Sequence, residues 1–122
     1  MSTMTTDADG IDFWKLNGVL HRTDGPAIEW PDGSKAYFLN GELHRTDGPA
    51  LDVFGGEKMY YINDVLHRTD GPAVEGADGS KVYYVSGVLH RTDGPARDHS
   101  SGIKEWYLNG VQVTQEEVEG AP

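Results

Sequence analysis

The chain has 122 residues, 20 of them acidic and 10 basic for a net charge of −10, and it contains no cysteine. That length allows one domain or a short repeat array, and the missing cysteine excludes disulfides and thiolate metal sites. The negative balance sets the chain against nucleic-acid phosphates and anionic lipid, which argues against a nucleic-acid polymer or a membrane surface as partner. No apolar run has the length of a membrane span and no signal-peptide core is present. Small secreted domains usually lean on disulfides, so for a chain without cysteine a cytoplasmic protein is the simpler reading.

Residues 1–12 are polar and acidic and are expected to form a disordered leader. Residues 13–113 are dominated by one heptapeptide, His-Arg-Thr-Asp-Gly-Pro-Ala. It begins at His21 and returns unchanged at His44, His67 and His90, a step of 23 residues each time. Identical segments at a fixed period mark a repeat array, here four units and a terminal half unit. The period extends beyond the heptapeptide. Trp14, Tyr37, Tyr60, Tyr83 and Trp106 form an aromatic column, and Leu16, Leu39, Ile62, Val85 and Leu108 an aliphatic one.

Each unit reads as β structure. Tyr37-Phe38-Leu39 is strand-prone, and Asn40-Gly41 is the strongest short hairpin signal, because a type I′ turn needs positive φ at both central residues. Asp64 stands where the other units have glycine, so glycine is expected to serve that turn better. Glu42 to Arg45 would return. Thr46-Asp47-Gly48-Pro49 must then end the strand, since proline cannot donate to a ladder. A third short extended piece and a second glycine turn lead to the next unit. Residues 114–122 form the cap and tail. Thr114 and Glu117 fit a capping box, which predicts a short helix over the last edge.

A two-residue loop pairs Tyr37 with His44, and likewise Tyr60 with His67 and Tyr83 with His90. Each histidine should therefore lie against an aromatic, its ring N–H bonded to backbone in the Asp-Gly-Pro turn. With one histidine per unit, and units roughly 10 Å apart, His21, His44, His67 and His90 do not converge as a metal site requires. No metal or other cofactor is expected. Arg22 and Asp24, with Arg45 and Asp47, Arg68 and Asp70, and Arg91 and Asp93, flank a turn that an ion pair would fix; the alternative is capture of an anion. Acidic Glu29, Asp52, Glu75 and Asp98 alternate with Lys35, Lys58, Lys81 and Lys104 and could face them across the second turn. Catalysis needs unlike groups converging at one place, and near-identical units supply the same group repeatedly, so no enzyme is expected.

The aromatic residue, the Asn-Gly turn, the histidine three residues after it and the later Asp-Gly resemble MORN repeats, over roughly residues 13 to 113. Trp14, Asn17-Gly18, His21 and Asp32-Gly33 carry the likeness. Arg22 departs from it, since MORN units usually have glycine after the histidine. The spacing differs too, and the unit looks more like a His-Arg-x-Asp-Gly-Pro-Ala variant found in phage, giant-virus and bacterial proteins. The resemblance implies an elongated, twisted antiparallel sheet in a scaffold, binding protein or dimerising rod. Phospholipid binding, suggested for some such proteins, is disfavoured by the charge.

The expected fold is thus an all-β array of antiparallel hairpins with a short C-terminal helix. The expected function is non-enzymatic binding or assembly, with a repeated aromatic–aliphatic face offered to a protein partner or to a second copy. The alternative is a small-ligand protein that sequesters an anionic nucleotide, as a phage or bacterial protein would, through the His/Arg/Asp-Gly-Pro turns. Tyr37, Tyr60 and Tyr83 join those turn residues as binding candidates. Both hairpin faces carry apolar side chains, which predicts a symmetric homodimer.

Overall fold

The computed structural model describes residues 2–119. In chain order the elements are β1 (Thr3–Thr6), β2 (Asp12–Leu16), β3 (Val19–Leu20), β4 (Ile28–Glu29), β5 (Lys35–Ala36), β6 (Phe38–Leu39) and β7 (Glu42–Leu43). There follow β8 (Leu51–Asp52), β9 (Lys58–Met59), β10 (Tyr61–Ile62), β11 (Val65–Leu66), β12 (Val74–Glu75) and β13 (Lys81–Val82). The chain ends with β14 (Tyr84–Val85), β15 (Val88–Leu89), β16 (Arg97–Asp98), β17 (Lys104–Leu108), β18 (Val111–Val113) and the helix α1 (Gln115–Glu119). The fold is nearly all β, and its neighbouring strands are antiparallel.

The main ladder runs β1-β2-β4-β5-β8-β9-β12-β13-β16-β17-β18, with β3 beside β2. The hairpins β6–β7, β10–β11 and β14–β15, turning at Asn40-Gly41, Asn63-Asp64 and Ser86-Gly87, stand outside it as two-stranded pieces, while the Asn17-Gly18 and Asn109-Gly110 hairpins belong to it. An array of antiparallel hairpins is present, as the sequence suggested, and the continuous ladder runs alongside the three central ones. The ladder is built from the short stretches on either side of the second glycine turn, two per unit. The aromatic residue is the reason. Tyr37 donates its N–H to Ala50 O at 2.7 Å, in the ladder, while its carbonyl accepts from His44 N–H at 3.0 Å, in the hairpin. One residue thus serves two ribbons, and the strand breaks there. The hairpins also join edge to edge: Arg45 N–H reaches Tyr61 O at 3.2 Å and Asp64 N–H reaches Leu43 O at 2.8 Å.

The turns follow their chemistry. Asn40 has φ 52° and Gly41 φ 81°, as a type I′ turn requires. Asn63 and Asp64 repeat this at 48° and 67°. Asp64 is there for a reason that glycine cannot supply. Its Oδ1 accepts the Leu43 N–H at 2.7 Å, a group on the preceding hairpin. The expectation that glycine would be better omitted this bond.

The leader is not disordered throughout. Thr3–Thr6 pairs residue by residue with Asp12–Lys15. Threonine favours strands, and the open edge of β2 supplies the partners. Asp7 Oδ1 fixes the connecting turn by accepting the N–H groups of Asp9 and Ile11.

Two cross-strand stripes traverse the ladder. In one, Glu29, Lys35, Asp52, Lys58, Glu75, Lys81, Asp98 and Lys104 oppose one another in strict alternation of sign. Lys58 reaches Asp52 at 3.1 Å and Lys104 reaches Asp98 at 2.9 Å. The other stripe is apolar from Phe13 through Ile28, Ala36, Leu51, Met59, Val74 and Val82. It ends in the charged couple Arg97 and Glu105. The most deeply buried side chains are small. Ala27, Ala50, Ala73 and Ala96, the last residues of the four heptapeptides, are wholly buried. Each of these methyl groups sits where the heptapeptide loop closes on the ladder.

The predicted cap is present. Thr114 N–H donates to Glu117 Oε1 at 2.9 Å, and Glu117 N–H donates back to Thr114 Oγ1 at 3.1 Å. This capping box starts α1, which buries Val118 against β17. Among the described residues no helix is long and apolar enough to cross a membrane.

Candidate functional site

The heptapeptide loop connects the returning hairpin strand to the ladder, and nearly every residue in it has a structural partner. Arg45 is the centre. Its guanidinium lies 3.9 Å above the Tyr37 ring, its Nε donates to Asp47 Oδ1 at 2.9 Å and its Nη1 donates to Pro49 O at 3.2 Å. Arg22 over Trp14, Arg68 over Tyr60 and Arg91 over Tyr83 repeat the stack at the same distance. Gly48 permits it. A Cβ there would stand 2.9 Å from Arg45 Cζ. The ion pairs expected from the Arg-x-Asp spacing are present in all four loops. The arginine hydrogen bond, and then its charge, hold the carboxyls of Asp24 and Asp47 below the usual carboxylate range.

The histidines behave otherwise than expected. Each accepts at Nδ1 rather than donating into its own turn. His21 takes the Asn40 N–H, His44 that of Asn63, His67 that of Ser86 and His90 that of Asn109, at 2.9 to 3.1 Å. Each donor lies 19 residues on, in the next unit's turn. The histidine is thus a clasp between units. Accepting at Nδ1 leaves the proton on Nε2, which is a free donor among the described residues.

Four loops in a row enclose three grooves. The first is lined by Arg22, Thr23, Asp24 and Gly25 of one unit and by Tyr37, Leu39, His44, Arg45, Thr46 and Asp47 of the next. The second is lined by Arg45, Asp47, Tyr60, Ile62, His67, Arg68 and Asp70, with their threonines, and the third by Arg68, Asp70, Tyr83, Val85, His90, Arg91 and Asp93, with theirs. Their volumes are about 490, 470 and 410 Å³. Consecutive grooves share a wall. Every binding candidate from the sequence except His21 lines one.

The floor of each groove is aromatic and aliphatic and the walls are polar. The arginine is already engaged by its aspartate and by a carbonyl. The aspartates are the outermost charges, with side chains 83–84% exposed. An incoming anion therefore meets carboxylate first. Thr23, Thr46, Thr69 and Thr92 were missed as candidates. They are exposed, hold no hydrogen bond among the described residues, and are identical in all four loops. That identity within the chain was the available signal.

Comparison of the chain with protein-family models, with curated proteins and with solved structures finds no match.

Proposed function

We propose that the chain is a non-enzymatic binding module whose three contiguous grooves present a repeated aromatic–aliphatic surface to a protein partner. The observation that carries this reading is the threonine column. Arginine, aspartate, glycine, proline, alanine and histidine each have a task in the fold, whereas the threonine has none and stands on every groove wall. The grooves are equivalent, which suits many weak contacts with an elongated partner rather than one strong site. Each supplies an apolar floor and a few convergent polar groups, the general make-up of a recognition site. A second copy of the chain is one partner this surface admits, in line with the apolar character of the hairpins.

Panning a displayed library of random peptides against the chain tests the reading. Sequences retained by the parent and lost on Thr46→Tyr, which narrows the two grooves sharing that wall, support it. Sequences retained equally by both would place binding elsewhere and overturn it.

A further inference from the structure

Resting on that reading, we infer that the partner is a basic, proline-rich segment in the polyproline II conformation, laid along the groove row in a three-residue register. The first ground is length. The ladder advances by two strands per 23-residue unit, so neighbouring grooves are spaced by about 9.5 Å, two inter-strand distances. A polyproline II helix repeats every three residues, about 9.3 Å. A single straight segment thus places equivalent residues in successive grooves without stretching.

The second ground is chemistry. Polyproline II has no internal hydrogen bonds, so its carbonyls seek donors. Each groove offers them: the histidine Nε2–H, the tyrosine hydroxyl and the threonine hydroxyls. Its apolar floor, Tyr37 with Leu39 in the first groove, suits a pyrrolidine ring, and aromatic-lined grooves are the general solution for proline-rich ligands. The ligand is also pre-ordered and loses little entropy on binding.

The third ground is charge. Asp24, Asp47, Asp70 and Asp93 repeat at the same interval, each with one oxygen on its arginine and the carboxylate otherwise open to solvent. The chain as a whole carries −10. A cationic residue at every third position of the ligand meets this row in phase, and the overall field favours its approach.

Titration calorimetry of the full chain with two synthetic peptides tests the inference. One is four repeats of Pro-Pro-Arg. The other has the same composition, with its four arginines together between two runs of four prolines. A hexamer of β-1,4-linked N-acetylglucosamine, whose extended disaccharide repeat has a comparable length, is the third probe. The periodic peptide should bind at least about tenfold more tightly than its isomer, and Thr46→Tyr should remove most of that advantage while leaving the melting temperature unchanged. Equal binding of the two peptides would reduce recognition to bulk charge and overturn the inference. Binding of the sugar alone, lost on Thr46→Tyr, would also overturn it but keep the grooves as the site. If neither peptide binds, the inference falls. The groove reading falls with it only if the library panning also yields no sequence that depends on Thr46.

Discussion

Gly48→Ala is the sharpest probe of how the heptapeptide works. In most loops exchanging glycine for alanine at a compatible φ stabilises by about 0.4–1 kcal/mol, because the unfolded chain loses freedom. Gly48 is not among the residues with positive φ, so its backbone conformation imposes no penalty. The obstacle is the guanidinium. The new methyl would lie 2.9 Å from Arg45 Cζ, 3.1 Å from Nη1 and 3.2 Å from Nε. To regain ordinary contact the group must retreat by several tenths of an ångström. It is held on three sides, by the Tyr37 ring, Asp47 and the Pro49 carbonyl. The ring stack contributes about 0.5–2 kcal/mol and the carbonyl bond about 1 kcal/mol, while the pair with exposed Asp47 adds little. Loss of much of this outweighs the entropic gain and leaves a net cost of about 1 kcal/mol. Chemical denaturation followed by circular dichroism, on Gly48→Ala, Arg45→Ala and the double variant, isolates the coupling. In the Arg45→Ala background Gly48→Ala should be neutral or stabilising. A stabilising Gly48→Ala with Arg45 present would refute the stacked arrangement.

Further outcomes are expected. His44→Ala leaves the Asn63 N–H without its acceptor and should cost about 1 kcal/mol of unfolding free energy. Asp64→Ala keeps the positive φ and loses the acceptor for Leu43 N–H, so it should destabilise by about 1 kcal/mol. Asp64→Gly relieves the strain while losing the bond and should be near neutral in the same assay. The lowered carboxyls of Asp24, Asp47, Asp78 and Asp98 stabilise the fold above the ordinary aspartate value of 3.8, and that contribution disappears as pH falls below it. Melting temperature should thus hold steady from pH 7 to about 5 as far as these groups are concerned, and fall below about 4. Light scattering at micromolar concentration should report twice the chain mass if a second copy covers the apolar surface; a monomer mass that persists, with no binding of a hydrophobic dye, would rule the homodimer out.

The sequence disclosed whatever depends on neighbours along the chain. The Asn-Gly turns, the pairing of Phe38 with Leu43, the Arg-x-Asp ion pairs, the opposition of Glu29 and Lys35, and the Thr114 cap are all short-range. What it hid is lateral. His44 bonds to a residue 19 positions on, and no hairpin register implies that contact. Arg45 stacks on Tyr37 from across the hairpin, where the spacing suggested tyrosine against histidine. The place of the ladder beside the central hairpins was not legible, because strands β4 to β16 are each two residues long, too short for alternation to distinguish them from turns. The grooves were invisible for the same reason, since each exists only between consecutive units. Their residues were nonetheless nearly all singled out, because the groove walls are the heptapeptide itself.

Replacing the loop threonines tests whether this column, alone in the heptapeptide, is free of any task in the fold. Thr46→Ala and Thr69→Ala, measured separately by equilibrium unfolding, should each leave stability within about 0.5 kcal/mol of the parent, as befits exposed side chains without bonds. A loss as large as that expected for Gly48→Ala would show that the threonines belong to the fold, and would contradict the assignment of the grooves as the binding surface.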